Sequence, residues 1–142
     1  MNHVRKINDK VIVIPCSGIG RVFGSVGREA TYLVVDSLRP ETTETVCLSL
    51  LVMGDEEARA KVQAHPTIAI DGCPKTCAQK NIELAGGKVG ARVPVFEIFK
   101  AHRALKSESI TVLDEKGQLL ARLLAERVAE AADALLNDQE GK

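Results

Sequence analysis

The sequence predicts an α/β protein: a single-domain three-layer α/β/α fold with a mostly parallel sheet of four to five strands. Apolar residues make up 45% of the chain but aromatic residues only 3%, so Val, Ile, Leu and Ala must build the core. Short aliphatic runs are typical of strands that are buried on both faces. These runs alternate with helical patterns, which favours right-handed βαβ units. With 142 residues, we expect one domain over residues 1–142, with a core from about 10 to 136.

The strands are predicted from runs of branched aliphatic residues. Residues 11–15 and 67–70 are short, mainly apolar runs, and turn-forming residues lie at their ends. Residues 43–51, rich in β-branched and aliphatic side chains, predict a second strand that carries Cys47. Further strands are predicted over residues 93–96 and 110–113.

Capping residues and apolar periodicity predict the helices. Asp55 is a typical N-cap, followed by two acidic residues that favour the positive end of a helix. Cys73 is expected to cap another helix, with Pro74 in its first position. Residues 119–136 keep one face apolar and predict a long helix. Residues 22–38 fit either a helix or a strand near residues 32–35.

The charge pattern argues against two classes of partner. The 19 basic residues balance the 19 acidic ones, without a basic stripe or aromatic platform for nucleic acid. No apolar run is long enough for a membrane span or a signal-peptide core. We therefore expect a cytoplasmic protein that binds neither nucleic acid nor membrane. The sequence identifies no protein partner and leaves open whether the protein is an enzyme.

Four cysteines are the chemically distinctive residues: Cys16, Cys47, Cys73 and Cys77. In a reducing compartment, cysteines indicate metal or redox chemistry rather than a disulfide framework. Cys16 and Cys73 follow predicted strands, and Cys47 lies on or near the end of another. Functional groups gather at the carboxyl ends of parallel strands. If the first strand lies between the other two, all four thiols are expected at one crevice.

The spacing of Cys73 and Cys77 suits a metal better than a disulfide. Residues four apart share a helix face, with Cβ atoms about 5–6 Å apart. A tetrahedral zinc ion accepts two such thiolates at about 2.3 Å, whereas a disulfide needs Cβ atoms about 3.8 Å apart. The alternative is that Cys16 and Cys47 are small buried apolar residues.

The sequence around these cysteines resembles a known family. Residues 69–74 read Ala-Ile-Asp-Gly-Cys-Pro and precede Cys77, while Cys16 opens a Cys-Ser-Gly segment and Cys47 precedes a leucine. These features resemble the DGC domain family over roughly residues 10–100. The resemblance implies zinc binding through Cys16, Cys47, Cys73 and Cys77. The leucine-rich stretch after Cys47 departs from the small, glycine-containing sequence expected of the family.

Asp71, Gly72 and Lys75 are the candidates for contacts around the bound group. Four thiolates around a divalent ion leave a net charge of about −2, which Lys75 or the amides at the helix start would offset. Asp71 would accept hydrogen bonds from loop amides or orient a ligand; otherwise it is a plain turn residue. No catalytic residue is identified.

Two other kinds of chemistry fit the same residues. Cys73 could attack a disulfide that a second cysteine resolves, as in thiol redox proteins, or the four thiolates could hold an iron–sulfur cluster. Separately, the glycine-rich residues 18–24 follow a strand and would allow a phosphate to approach. Their last glycine comes one residue late for a dinucleotide fingerprint, so a flexible connecting loop is the favoured interpretation.

Overall fold

Four parallel strands form the centre of the molecule. The computed structural model describes residues 9–16, 18, 21–110 and 112–140, excepting the side chains of residues 139 and 140. The strands are β1 (Val11–Pro15), β2 (Thr43–Thr45), β3 (Thr67–Ile70) and β4 (Val89–Arg92). Their order is β2-β1-β3-β4, and every neighbouring pair is parallel. The predicted parallel sheet is confirmed.

Helices connect the strands and cover both faces of the sheet. They are α1 (Val22–Leu33), α2 (Leu48–Met53), α3 (Glu56–Ala64), α4 (Cys77–Leu84), α5 (Val95–Ala101) and α6 (Glu115–Glu140). A π-helical turn, Val34–Leu38, continues α1, and a 3-10 turn, Arg103–Leu105, follows α5. Among the described residues, no helix is both long and apolar enough to span a bilayer.

The two faces of the sheet have separate hydrophobic cores. Val11 and Val13 of β1 pack with side chains of α1 and α6, whereas Ile12 and Ile14 pack with side chains of α2, α3 and α4. Successive side chains of a strand point to opposite faces, so β1 contributes to both cores. The result is the predicted three-layer α/β/α arrangement.

Several predicted helices are confirmed. Asp55 caps α3, since its Oδ2 accepts a hydrogen bond of 2.9 Å from the amide of Ala58. Residues 22–38 are helical, so the strand alternative near residues 32–35 is wrong. The helix predicted over residues 119–136 is the central part of the longer α6.

The strand predicted over residues 43–51 is wrong beyond residue 45. The chain leaves the sheet after β2 and forms α2, which buries Leu48 and Leu51 against the core. Leucines three apart lie on one helix face, and leucine favours helix more than β-branched residues do. Gly54 ends α2 with a φ of 83°, a left-handed conformation that glycine adopts easily.

The two strands predicted over residues 93–96 and 110–113 are also wrong. The fourth strand of the sheet is the preceding segment, β4. Pro94, within the predicted strand, is instead the N-cap residue of α5. Ile110 and Val112 are exposed in a loop, so no sheet partner covers them; Thr111 lies outside the described residues. Apolar runs this short do not distinguish strands from helices or loops.

The start of α4 differs from the prediction. Helix α4 begins at Cys77, with Thr76 as N-cap residue, so Cys73 is not the cap and Pro74 is not the first helical residue. Thr76 has a φ of 52°, a left-handed conformation that interrupts the helical path before Cys77. Cys73 therefore lies in a turn ahead of the helix, and the inference of one shared helix face is wrong.

Candidate metal centre

Cys16 lies where β1 and β3 end side by side. Its amide donates a hydrogen bond of 2.9 Å to the carbonyl of Ile70, which extends the pairing of the two strands by one residue. The amide of Gly72 donates to Cys16 Sγ at 3.3 Å. The thiol of Cys16 is thus in direct contact with the turn that leads to Cys73.

Cys47 reaches the same edge from the other side of β1. It follows β2 as the N-cap residue of α2 and is exposed. Cys16 and Cys47 line one cavity of about 280 Å³, together with Arg28 and Tyr32. The sequence predicted all four cysteines at one edge only if β1 lies between β2 and β3. The observed order β2-β1-β3 meets this condition.

Cys73 and Cys77 share the electrostatic environment of Cys16. Burial raises the pKa of the Cys16 thiol most strongly, and the hydrogen bond from Gly72 partly opposes this. The negative charges of Asp71, Cys73 and Cys77 raise the same pKa further. The thiols of Cys73 and Cys77 therefore lie close enough to Cys16 for their charges to affect its pKa.

The environment of Cys47 is different. Hydrogen bonds from the amides of Leu50 and then Ser49, at the start of α2, lower the pKa of the Cys47 thiol. Its exposed position adds only a small opposing effect from burial. Cys47 therefore forms a thiolate more readily than Cys16 does.

Asp71 fixes the start of α4. The residue is 7% exposed, and its Oδ1 and Oδ2 accept hydrogen bonds from the amides of Ala78 at 2.8 Å and Gln79 at 3.3 Å. The carboxylate acts as a helix cap supplied from the end of β3. Of the two roles considered from the sequence, Asp71 accepts amide hydrogen bonds and is more than a plain turn residue. It holds Cys77, the first residue of α4, next to the end of β3.

Gly72 and Lys75 occupy different settings in the intervening turn. A Cβ atom on Gly72 would lie 3.2 Å from both the backbone nitrogen of Gly24 and Cβ of Phe23, so the turn packs tightly against α1. Lys75 is exposed between Cys73 and Cys77. Its expected role as a counter-charge stays a prediction.

The segments that carry the four cysteines lie at one edge of the sheet, but the thiols do not form a ready-made coordination shell. Within the part of the chain that the structure describes, no group of three or more His, Cys, Asp or Glu side chains is arranged to hold a metal ion. The chemical fit is nevertheless good, because zinc in structural sites prefers four cysteine or histidine ligands. The amide hydrogen bond to Cys16 is the kind of outer contact that supports a metal-bound thiolate.

An apolar cavity beside Cys73 was not predicted from the sequence. This cavity of about 480 Å³ is lined by Cys73, Phe23, Pro94 and Phe96, among other residues. Phe99, the third and last phenylalanine of the chain, packs against Phe23 in a tilted arrangement with 5.2 Å between ring centroids. The signal available in the sequence was the rarity of aromatic residues, which makes their gathering at one edge notable.

These features define an α/β protein with four cysteines at the carboxyl edge of a parallel sheet. The model of the DGC domain matches residues 12–117, so the chain belongs to the DGC domain family, as the cysteine motifs predicted. No curated protein and no solved structure matched the chain in the corresponding comparisons.

Proposed function

We propose that this protein binds one zinc ion through Cys16, Cys47, Cys73 and Cys77. The observation that carries the proposal is topological: the ends of three adjacent parallel strands, β2, β1 and β3, lead directly into the segments with these cysteines. Membership of the DGC domain family and the number of cysteines support it.

Two contacts prepare the site for a metal. The amide of Gly72 donates to Cys16 Sγ, which would stabilise a metal-bound thiolate at that position. Asp71 anchors the first turn of α4 and so limits the movement of Cys77. Two of the four proposed ligands, Cys16 and Cys77, are thereby positioned by hydrogen bonds that do not require a metal.

Zinc binding requires the remaining segments to move inward. Cys73 lies in a turn, and exposed Cys47 lies at the start of the short helix α2, so neither residue is held by strand pairing. Each cysteine gives up its proton to become a ligand, which couples zinc affinity to pH. The amides of Ala78 and Gln79 already bind Asp71, so Lys75 is the proposed counter-charge for the thiolates.

Elemental analysis of protein purified without chelator tests the proposal. We expect about one zinc per chain, because four thiolates complete a tetrahedral shell. Each single Cys→Ser variant should lower zinc retention after dialysis against a competing chelator by about tenfold or more, the scale on which even outer-shell changes act. The control variant Ser37→Ala, at an exposed position in the π-helical turn after α1, should retain zinc as the wild type does.

Two results would contradict zinc binding. The first is metal-free protein in which all four thiols are intact and titratable. The second is a brown protein that absorbs visible light, which would indicate an iron–sulfur cluster on the same cysteines.

Thiol redox chemistry is the second candidate, favoured by the exposed Cys47 with its lowered pKa. In this scheme, the Cys47 thiolate attacks a substrate disulfide, forms a mixed disulfide and releases one substrate thiolate. The Cys16 thiolate, which lines the same cavity, then attacks Cys47 and releases the second thiolate. The substrate disulfide is reduced to two thiols, and the protein is oxidised to a Cys16–Cys47 disulfide. Full disulfide-exchange activity in Cys47→Ser would contradict this scheme.

A further inference from the structure

A second cavity lies next to the one beside Cys73. Its volume is about 610 Å³, and its lining residues are Arg21, Val22, Phe23, Gly72, Phe99, Arg103, Lys106 and Ser107. Phe23 and Gly72 line both cavities, so the two spaces are adjacent. The second space is called the cationic cavity below.

The cationic cavity concentrates positive charge. Arg21 precedes α1, and Arg103 and Lys106 lie in and just after the 3-10 turn, so distant parts of the chain bring these side chains together. No acidic residue is among the described residues that line the cavity. None of the three cationic side chains forms a salt bridge with any residue that the structure describes. Three cations at one cavity repel one another and favour a bound anion.

The walls of the cationic cavity are formed by packed residues. The rings of Phe23 and Phe99 lie at an interplanar angle of 54° and line one side. Buried Ser107 lines another part, and its hydroxyl is held by a hydrogen bond of 2.9 Å to the carbonyl of Ser109. The start of α1 also faces the cavity through Val22, and its positive dipole end adds to the charge of the three side chains.

The neighbouring cavity complements this charge with apolar surface. Its apolar lining residues include Phe23, Pro94 and Phe96, and the charged residues Asp71, Arg92 and Glu97 also line it. Both cavities have volumes within the range of about 300–1,000 Å³ that is typical of small-molecule sites. A molecule with one anionic end and one apolar end would fit across the two.

We propose that the cationic cavity binds the phosphate group of a small organic phosphate, whose apolar part lies in the cavity beside Cys73. The proposal goes beyond metal binding, since cationic and aromatic side chains carry it and thiols do not. Three described residues of the glycine-rich segment, Arg21, Val22 and Phe23, line this cavity.

Calorimetric titration of the full chain with phenyl phosphate, inorganic phosphate and phenol tests this proposal. The buffer contains a reductant and a chelator, so the result does not depend on zinc. Phenyl phosphate should bind more tightly than either of the other probes, because only it carries both an anionic group for the cationic cavity and an apolar group for the neighbouring one. Its affinity should fall as salt is added, since screening weakens the ionic contacts. Equal affinity for phenol and phenyl phosphate, or no binding by any probe, would overturn the proposal.

Two variants test the residues. Arg103→Gln/Lys106→Gln should weaken phenyl phosphate binding by about tenfold, because each exposed ion pair is worth up to about fivefold. Arg59→Gln, an exposed position on α3 on the opposite face of the sheet, is the matched control and should bind as the wild type does. The single variant Lys106→Gln should show a smaller loss of phenyl phosphate affinity than the double variant. It replaces the double variant in the test if the double variant misfolds. Equal affinities in the Lys106→Gln and Arg59→Gln variants would contradict the proposed site.

Discussion

Two cysteines of the same edge, Cys16 and Cys47, differ in their readiness to ionise. Partial burial and nearby negative groups disfavour the thiolate of Cys16, although the amide of Gly72 donates to its sulfur. The exposed thiol of Cys47 receives amide hydrogen bonds from the start of α2, which stabilise its thiolate. Cys16 and Cys47 are therefore not equivalent in their reactivity.

Alkylation rates should reveal this difference. In reduced, chelator-treated protein at neutral pH, Cys47 should react with iodoacetamide faster than Cys16. A lowered pKa gives Cys47 a larger fraction of reactive thiolate, and a raised pKa gives Cys16 a smaller one. Peptide mapping by mass spectrometry measures both rates, and urea-unfolded protein, where the rates should converge, is the control. Faster modification of Cys16 than of Cys47 in the folded protein would contradict the described environments.

At the scale of elements, α4 depends on a carboxylate outside the helix. Asp71 lies at the end of β3 and accepts hydrogen bonds from two amides of the first turn of α4. The carbonyl of Asp71 also accepts a hydrogen bond of 3.0 Å from the amide of Val95, at the start of α5. One residue therefore ties β3, α4 and α5 together at the edge that holds the cysteines.

Replacing Asp71 should destabilise the protein more than replacing a surface helix cap. In metal-free protein, Asp71→Ala should lower the free energy of unfolding by about 1–3 kcal/mol, because it leaves buried donors without their acceptor. Asp55→Ala, the control at the part-buried cap of α3, should cost about 1 kcal/mol. Urea unfolding measures both values. A loss for Asp71→Ala no larger than for Asp55→Ala would show that Asp71 is not an anchor.

The sequence predicted the elements best where the signals were local. The apolar runs of β1 and β3 and the cap at Asp55 depend on neighbouring residues, and their predictions are confirmed. The start of α4 was missed because its cap, Asp71, comes from beyond a turn that includes a left-handed Thr76. Likewise β4, with Gly, Ala and Arg in its four residues, has little intrinsic strand preference and forms by pairing with β3.

At the scale of the whole molecule, the sheet order brings distant cysteines to one edge. This could be predicted in part, because parallel strands connected by helices end on the same side. The position of β1 between β2 and β3 was only a condition in the sequence argument, and the structure meets it. The cationic cavity could not be predicted, since Arg21 and Lys106 are far apart in the chain and no motif links them.

Cysteine contributes little to the two hydrophobic cores of the described residues. The core between the sheet and α1 and α6 contains no cysteine among its described residues, and in the other core Cys16 only packs at the margin. Aliphatic burial is sufficient to bring the strand ends together before any ligand binds. Metal binding would therefore add to an existing structure rather than create it.

X-ray absorption spectroscopy of the zinc-loaded protein tests the central claim most directly. If strand order brings all four cysteines to one ion, the first shell should contain about four sulfur atoms at about 2.3 Å. Nitrogen or oxygen atoms at about 2.0–2.1 Å in place of some of these sulfurs would contradict a four-cysteine site.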